Sequence, residues 1–439
     1  MTDTEDPSVH WNPVEKRILS TRSALVRWWN DLPAGSSDAL LYGVSALFAL
    51  FMTVASDQSA QTRWGWISAG PFALAALVAF FFGRLRRRDQ IAWRAILAGV
   101  VGFCVVVIPL GVEIALPNPV GQPEVWVIER SAFYISHFES PYRSYVLEGH
   151  LVNEIHGIPS YESFFPYFPL MSVFGLPSAL DHRVSGPTDA RVIMSLCTLL
   201  LMAGALVLLR SPSERKLRIA QLLVVLPTGS LFLATGGDDM PILALCLLAL
   251  VTLQRRQVWT SGLLMGAAAA MKLTAWPFAL ATLLVARDQQ GRRSWGRLVT
   301  EIGAIVAVVV LPFAIHSPHA FTANVLEFPA GLAGIHSPAA SPLPGHLLTT
   351  WFPVLSHVIM PLVFVGGGVY LARRFKRHWP ETISEVMRIL AAVMAVLICA
   401  ATATRVGYVI YPLNFWLWAW AFDSAQPDVL DERVVLVEA

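Results

Sequence analysis

Charge is scarce in this sequence. Only 14% of its 439 residues are Asp, Glu, Lys or Arg, whereas 55% are hydrophobic, and the mean hydropathy is +0.57. That balance excludes a soluble globular chain and leaves a polytopic membrane protein. Cysteine is nearly as rare. The four present (Cys104, Cys197, Cys246 and Cys399) lie inside apolar runs, where a thiol packs as a small hydrophobe, so no disulfide, zinc or redox motif is expected. The formal net charge of +2 says nothing about nucleic acid, because the basic residues are clustered by topology and not by face, and no nucleic-acid partner is expected. No apolar run falls within the first 30 residues, so no cleavable signal peptide is expected. Residues 1–38 read instead as a cytoplasmic segment, with the basic, tryptophan-bearing KRILSTRSALVRWWNDL as an amphipathic helix on the membrane surface.

What the sequence holds in quantity is apolar windows of about 20 residues, the length that crosses a bilayer as a helix. They run over 39–55, 65–83, 92–116, 189–209, 217–235, 239–253, 258–286, 298–315, 347–371, 386–403 and 407–422. The fold expected is an all-α membrane bundle of about 11–13 spanning or re-entrant helices. Basic clusters such as RLRRR (84–88), RSPSERKLR (210–218), QRRQ (254–257), RDQQGRRSWGR (287–297) and RRFKRH (373–378) belong on the cytoplasmic side. All of them reach that side only if 258–286 is two short helices meeting at Met271-Lys272-Leu273-Thr274. Such a break is tolerated at membrane depth only where protein or a water-filled cavity covers it. The chain then divides into helices over 39–115, an extracytoplasmic stretch 116–188, core helices 189–315, a second outer loop 316–346, helices 347–423 and a cytoplasmic tail 424–439.

The stretch from Leu116 to Thr188 is too polar for lipid and too aromatic for a loose loop. It carries seven acids against three arginines and has no lysine. Apolar residues at helical spacing (Val125, Ile128, Ala132, Ile135) follow Pro123, which places Glu124 and Glu129 at the start of a short amphipathic helix. A carboxylate there either complements the helix dipole or serves chemistry. In the turn Gly236-Gly237-Asp238-Asp239-Met240-Pro241, capping of the next helix accounts for one aspartate. A pair is also suited to sugar hydroxyls, to a divalent metal, or to pairing with Lys272 or Arg405. Lys272, a lysine in mid-run, either snorkels to an interface or faces a phosphate; Arg405, isolated in a short outer turn, has the same two readings. His316, His319, His336 and His346 lie in a long Pro/Ser/Ala-rich loop without metal-ligand spacing, and that loop suits a lid or an acceptor-recognition element.

The run GLLMGAAAAMKLTAWPFALATLLVARDQQGRRSW resembles the signature of glycosyltransferase family 87, polyprenol-phosphate-mannose-dependent mannosyltransferases of actinobacteria. Ala275 stands where the family usually has proline, with Pro277 two residues on. Ser140-Pro141-Tyr142 and Pro166-Tyr167-Phe168-Pro169 are similar to the family's outer stretch, and the likeness spans about Pro123 to Arg297. Glu124 falls where the family commonly has aspartate, and GGDD replaces a Gly-Gln-x-Asn type turn.

The resemblance implies a GT-C fold and an inverting, metal-independent transfer. The sugar moves from a polyprenyl phosphate, without a further cofactor, to a glycolipid or glycan acceptor of the cell envelope, at the outer face of the plasma membrane. It further implies Glu124, with Glu129 as runner-up, as general base. Lys272, Arg405 and Arg130 would hold the donor phosphate, and Asp238, Asp239, Tyr142, Tyr167 and His316 the sugar or acceptor. A transporter or lipid flippase also fits broken helices and buried charge, but no internal repeat is visible and the long acidic, aromatic outer stretch is superfluous to it. A purely structural protein leaves Lys272 and the acid pair unexplained. The sequence sets no oligomeric state.

Overall fold

The computed structural model describes residues 34–85, 90–116, 121–181, 186–289, 291–335 and 339–423. The expected N-terminal amphipathic helix, most of the RLRRR cluster, His336 and the expected cytoplasmic tail lie outside these residues.

The chain enters through an antiparallel pair, α1 (Ala34–Ala55) and α2 (Ser59–Leu85). Small residues let the two backbones touch: a Cβ on Gly35 would stand 2.5 Å from Gly83 Cα, and one on Gly65 would stand 2.6 Å from the Ala49 carbonyl oxygen. Trp64 then ties the pair to α3 (Gln90–Ala115) by donating to the Val105 carbonyl at 2.9 Å, inside a π-helical turn. A buried charge network makes the second tie. Arg94 holds Asp38 of α1 (Nη2 to Oδ1, 3.1 Å) and Glu214 (Nη2 to Oε1, 2.8 Å), and Arg218 joins Asp38 and donates to Ser37 Oγ at 2.6 Å. Two guanidinium groups thus neutralise two carboxylates where neither kind is tolerated alone.

The centre is built from α5 (Ala190–Leu208), α6 (Ser213–Thr235) and α7 (Asp239–Gln254). α7 is apolar on every face and buried at nearly every position from Met240 to Leu253, the pattern of a helix surrounded by others. α6 is interrupted at Leu226, which is extended before Pro227, because proline drives the residue before it out of helical geometry.

The 258–286 run is two helices, α8 (Val258–Ala269) and α9 (Trp276–Gln289). Between them Lys272 is extended, with φ −151° and ψ 141°. Backbone groups released at membrane depth need partners, and these come from the polar stretch: the N–H of Phe168 donates to Met271 O at 2.9 Å and that of Leu170 to Ala270 O at 3.3 Å. α10 (Gly291–His316) follows.

One expected span is corrected. Residues 347–371 are not a single helix but α11 (Pro344–Trp351) and α12 (Ile359–Arg377). They are separated at Phe352, whose φ −132° and ψ 82° lie outside the helical region ahead of Pro353. The bundle closes with α13 (Ile383–Ala400) packed on α14 (Ile410–Phe422). Among the described residues seven helices are long and apolar enough to cross a membrane (α1, α2, α3, α5, α6, α10 and α13), and shorter apolar helices accompany them. The protein is an all-α polytopic membrane protein.

The polar stretch folds into a cap. It contains α4 (Pro123–Ser136) and a small hairpin of β1 (Tyr145–Leu147) and β2 (His150–Val152). Glu148 and Gly149 turn the hairpin with φ 51° and 82°, the left-handed pair that a two-residue turn requires. Buried Asn324 stitches the loop after α10 to the cap, accepting from Phe165 N–H and donating to Ser144 O, both at 2.7 Å. That loop also pairs with the turn before α14 through Thr404 N–H to Ala339 O at 2.8 Å.

Asp38→Ala removes the buried one of the two carboxylates that Arg94 and Arg218 share and leaves them only the partly exposed Glu214. We expect a loss of about 3–5 kcal/mol, read as a lowered melting temperature of the purified protein in detergent.

Candidate active site

Under the cap, four chain breaks meet: the end of α6, the start of α7, the interruption between α8 and α9, and the turn before α14. Gly236 ends α6 with φ 98°. Its missing side chain is required, since a Cβ there would stand 2.3 Å from Val125 Cγ2 of α4. Gln122 fixes the same contact, its N–H donating to Thr235 O at 3.0 Å and its side-chain amide to Thr235 Oγ1 at 2.9 Å. The first turn of α4 is thereby held over the Gly-Gly-Asp-Asp turn, and Glu124 is brought to the mouth of the cavity.

Asp238 makes no capping hydrogen bond. Both aspartates instead hold Lys272, whose Nζ is 2.7 Å from Asp238 Oδ2 and in contact with Asp239 Oδ1. The ammonium also lies 5.4 Å from the centre of the Tyr167 ring, a cation–π contact in a desolvated setting. Asp239 Oδ1 further accepts the Tyr411 hydroxyl at 2.5 Å, and that hydroxyl is 2.7 Å from Thr274 Oγ1. Lys272 does not snorkel away, because its charge is matched where it stands.

Opposite this cluster Arg405 Nη1 donates to Glu124 Oε1. The second oxygen, Oε2, is buried and has no hydrogen-bond partner among the described residues. A buried acceptor without a partner is unusual in a folded protein and calls for an explanation. Glu124, Tyr167, Asp238, Asp239, Lys272, Thr274 and Arg405 line one cavity of about 280 Å³.

Six residues singled out in the sequence therefore converge on the cavity: Glu124, Tyr167, Asp238, Asp239, Lys272 and Arg405. Four others lie elsewhere. Glu129 Oε1 accepts the Ala190 N–H at 2.9 Å, so this carboxylate serves the N-terminus of α5, and burial pushes its pKa up to about 7 against the opposing effect of that hydrogen bond. Arg130 donates to the Glu162 carbonyl and lines an adjoining pocket, where burial lowers its pKa. Tyr142 is buried and braces the cap, its hydroxyl donating to Tyr167 O at 2.7 Å. His316 borders a separate open groove.

The cavity also holds residues that the sequence reading passed over. Glu162, whose pKa burial raises, and Tyr161, Thr274 and Tyr408 face it, and Tyr411 stands behind Asp239. Their available signals were position alone: Glu162 two residues before Phe164, and the tyrosines three and six residues after Arg405.

Residues 165–400, more than half of the chain, match glycosyltransferase family 87. The chain belongs to that family. It is a membrane glycosyltransferase. No curated protein matches the chain. The family 87 segment contains Tyr167, Asp238, Asp239 and Lys272, whereas Glu124 precedes it and Arg405 follows it. The match begins at residue 165, after the start of the resemblance at Pro123, and extends beyond its end at Arg297. Among the described residues no group of three or more His, Cys, Asp or Glu side chains is placed to hold a metal ion.

Two outcomes follow from this arrangement. Lys272→Met leaves two buried carboxylates facing each other and costs about 3–5 kcal/mol; adding Asp238→Asn and Asp239→Asn recovers most of the melting temperature. For Glu129, a folded-state pKa near 7 lies above the ordinary value of 4.5. The unfolded chain therefore releases this proton first, and stability falls as pH rises from about 4.5 to 7. Melting temperatures measured across pH 5–8 should decline in the wild type and flatten in Glu129→Gln.

Proposed function

We propose that this family 87 enzyme transfers a sugar, mannose in the simplest case, from a polyprenyl-phosphate donor to a cell-envelope glycolipid or glycan, with inversion at the anomeric carbon. The observation that carries this reading is Glu124, which lines the cavity that contains Lys272: one carboxylate oxygen is fixed by Arg405, and the other is buried with no hydrogen-bond partner among the described residues. A fixed carboxylate with one free oxygen suits a general base.

In this mechanism Glu124 Oε2 takes the proton of an acceptor hydroxyl as its oxygen forms a bond to the anomeric carbon. The bond from that carbon to the phosphate oxygen breaks on the opposite face, and its electron pair stays with the phosphate. Arg405 and Lys272 offset the charge that develops there. Arg405 is suited to this because only Nη1 is committed to Glu124, which leaves other guanidinium N–H groups for phosphate oxygens. Asp238 and Asp239 set the position of Lys272 and present their remaining oxygens to sugar hydroxyls.

The basic segments supply the orientation. Arg210–Arg218, Arg255, Arg256 and Arg292–Arg297 all lie at helix ends remote in sequence from the cavity-lining ends, which supports reading the cavity as extracytoplasmic, at the outer face of the plasma membrane. Family membership weighs against a flippase.

The test is transfer of labelled mannose from polyprenyl-phosphate-mannose to an envelope lipid extract by purified protein, with and without chelator. Glu124→Gln should lower turnover by about 10²–10⁴-fold, with transfer by the wild type surviving chelation. Full turnover in Glu124→Gln would remove the base assignment.

A further inference from the structure

The end of the bundle opposite the cavity has a charge pattern of its own. α6 and α7 meet the cavity at Thr235 and Asp239, and at their other ends stand Arg215, Lys216, Arg255 and Arg256. Other guanidinium groups at this end are matched by acids: Arg94 and Arg218 share Asp38 and Glu214, Arg297 pairs with Glu301, and Arg388 pairs with Asp423. Among the described residues no carboxylate pairs with any of the four. Glu214 is only two positions from Lys216, but residues so spaced face different sides of a helix.

These cations are held in place with their charges uncancelled. Arg255 Nε donates to the Leu208 carbonyl at 2.7 Å, which fastens the end of α7 to the end of α5. Its guanidinium there is close enough to the half-buried Lys216 to repel the ammonium. Arg215 Nη1 donates to the Trp420 carbonyl, and its guanidinium lies 4.6 Å from the centre of the Trp420 ring. Like charges kept adjacent in a half-buried corner are unfavourable, and a bound anion removes the conflict.

Two observations favour a lipid as the source of that anion. Lys216 lies in the first turn of α6, where a span meets the headgroup level, and tryptophan, here Trp420 against Arg215, is enriched at that level. From the Leu208 carbonyl an apolar strip runs along α5: Leu196, Leu200 and Val207 are all exposed and fall within about 40° of one another around the helix. A phosphate beside Arg255 would set its acyl chains on that strip.

We propose that the corner formed by Lys216 and Arg255 binds the phosphate headgroup of an anionic phospholipid, with its acyl chains along Leu196, Leu200 and Val207 of α5. Basic recesses between helix ends bind acidic headgroups in this way. The site is separate from the cavity and does not depend on which sugar is transferred.

The test is the melting temperature of the full-length protein in nanodiscs of phosphatidylcholine alone and of phosphatidylcholine mixed with phosphatidylglycerol. The wild type should melt at least about 2 °C higher in the mixture, because a ligand of the folded state stabilises it. Lys216→Gln with Arg255→Gln should lose this increment. Arg292→Gln with Arg293→Gln, which removes two exposed cations at the same end, should keep it. Lys216→Glu guards against a mere folding defect, since it gives Arg255 a carboxylate from within the chain: it should melt above the wild type in phosphatidylcholine and show no response to phosphatidylglycerol. An increment that persists in Lys216→Glu, or that both double variants lose alike, overturns the site. Inorganic phosphate that stabilises the protein as much as phosphatidylglycerol does would assign the cations to a free anion and also overturns it. A response that appears only when Asp428, Asp431, Glu432 and Glu438 are all replaced by amides would assign them to the chain's own acidic end, with the same consequence.

Discussion

The interruption between α8 and α9 leaves the carbonyls of Ala270 and Met271 pointing into a region where lipid offers no hydrogen bond. Everything about the site follows from how those two groups are satisfied. The N–H groups of Phe168 and Leu170 cover them, so the end of the polar cap is fixed to the bundle core at the point where Lys272 emerges. Tyr167, adjacent to Phe168, is thereby set beneath the ammonium, and Tyr142 braces Tyr167 from the other side through its carbonyl. The break that exposes the lysine and the segment that shelters it are one structural unit.

A second constraint positions the other wall. Gly236 admits Val125 because it has no side chain, and this contact sets the register of α4 against the turn that carries Asp238 and Asp239. Glu124 then meets Arg405, 281 positions away in the chain. Neither partner has a local reason to be where it is; the cap and the turn before α14 are joined through the loop after α10, by Asn324 and by the pairing of Thr404 with Ala339.

The sequence made some of this legible. Hydropathy marks most spans, and the requirement that basic loops share one side points to the break at Lys272. A lysine in an apolar run and an arginine alone in a short turn are conspicuous because each is costly in lipid, and both line the cavity. Glu129 misled for a physical reason: it is close to Glu124 in sequence, but five residues carry it about 140° around α4, to the N-terminus of α5. The divided 347–371 run was hidden because hydropathy averages across Pro353. Glu162 and Tyr411 were illegible because an acid or a tyrosine near a membrane boundary is ordinary, and only packing shows which ones face a cavity.

The cavity contains four carboxylates (Glu124, Glu162, Asp238 and Asp239) and two cations (Lys272 and Arg405). A phosphate would not be drawn there by net charge, so in the proposed reaction a lipid donor's affinity comes chiefly from its apolar chain. The ion pairs matter at a later point. While Arg405 is balanced by Glu124, it offers the bound donor little beyond a neutral hydrogen-bonding surface. As Glu124 accepts the acceptor's proton it loses its charge, and the guanidinium is left unbalanced at the moment the departing phosphate oxygen becomes negative. In the proposed reaction the same pair would thus stabilise the transition state more than the bound ground state, which is the condition for a binding group to raise turnover. It also explains why a base and a phosphate-binding arginine would be held in direct contact: proton transfer at one releases the charge of the other.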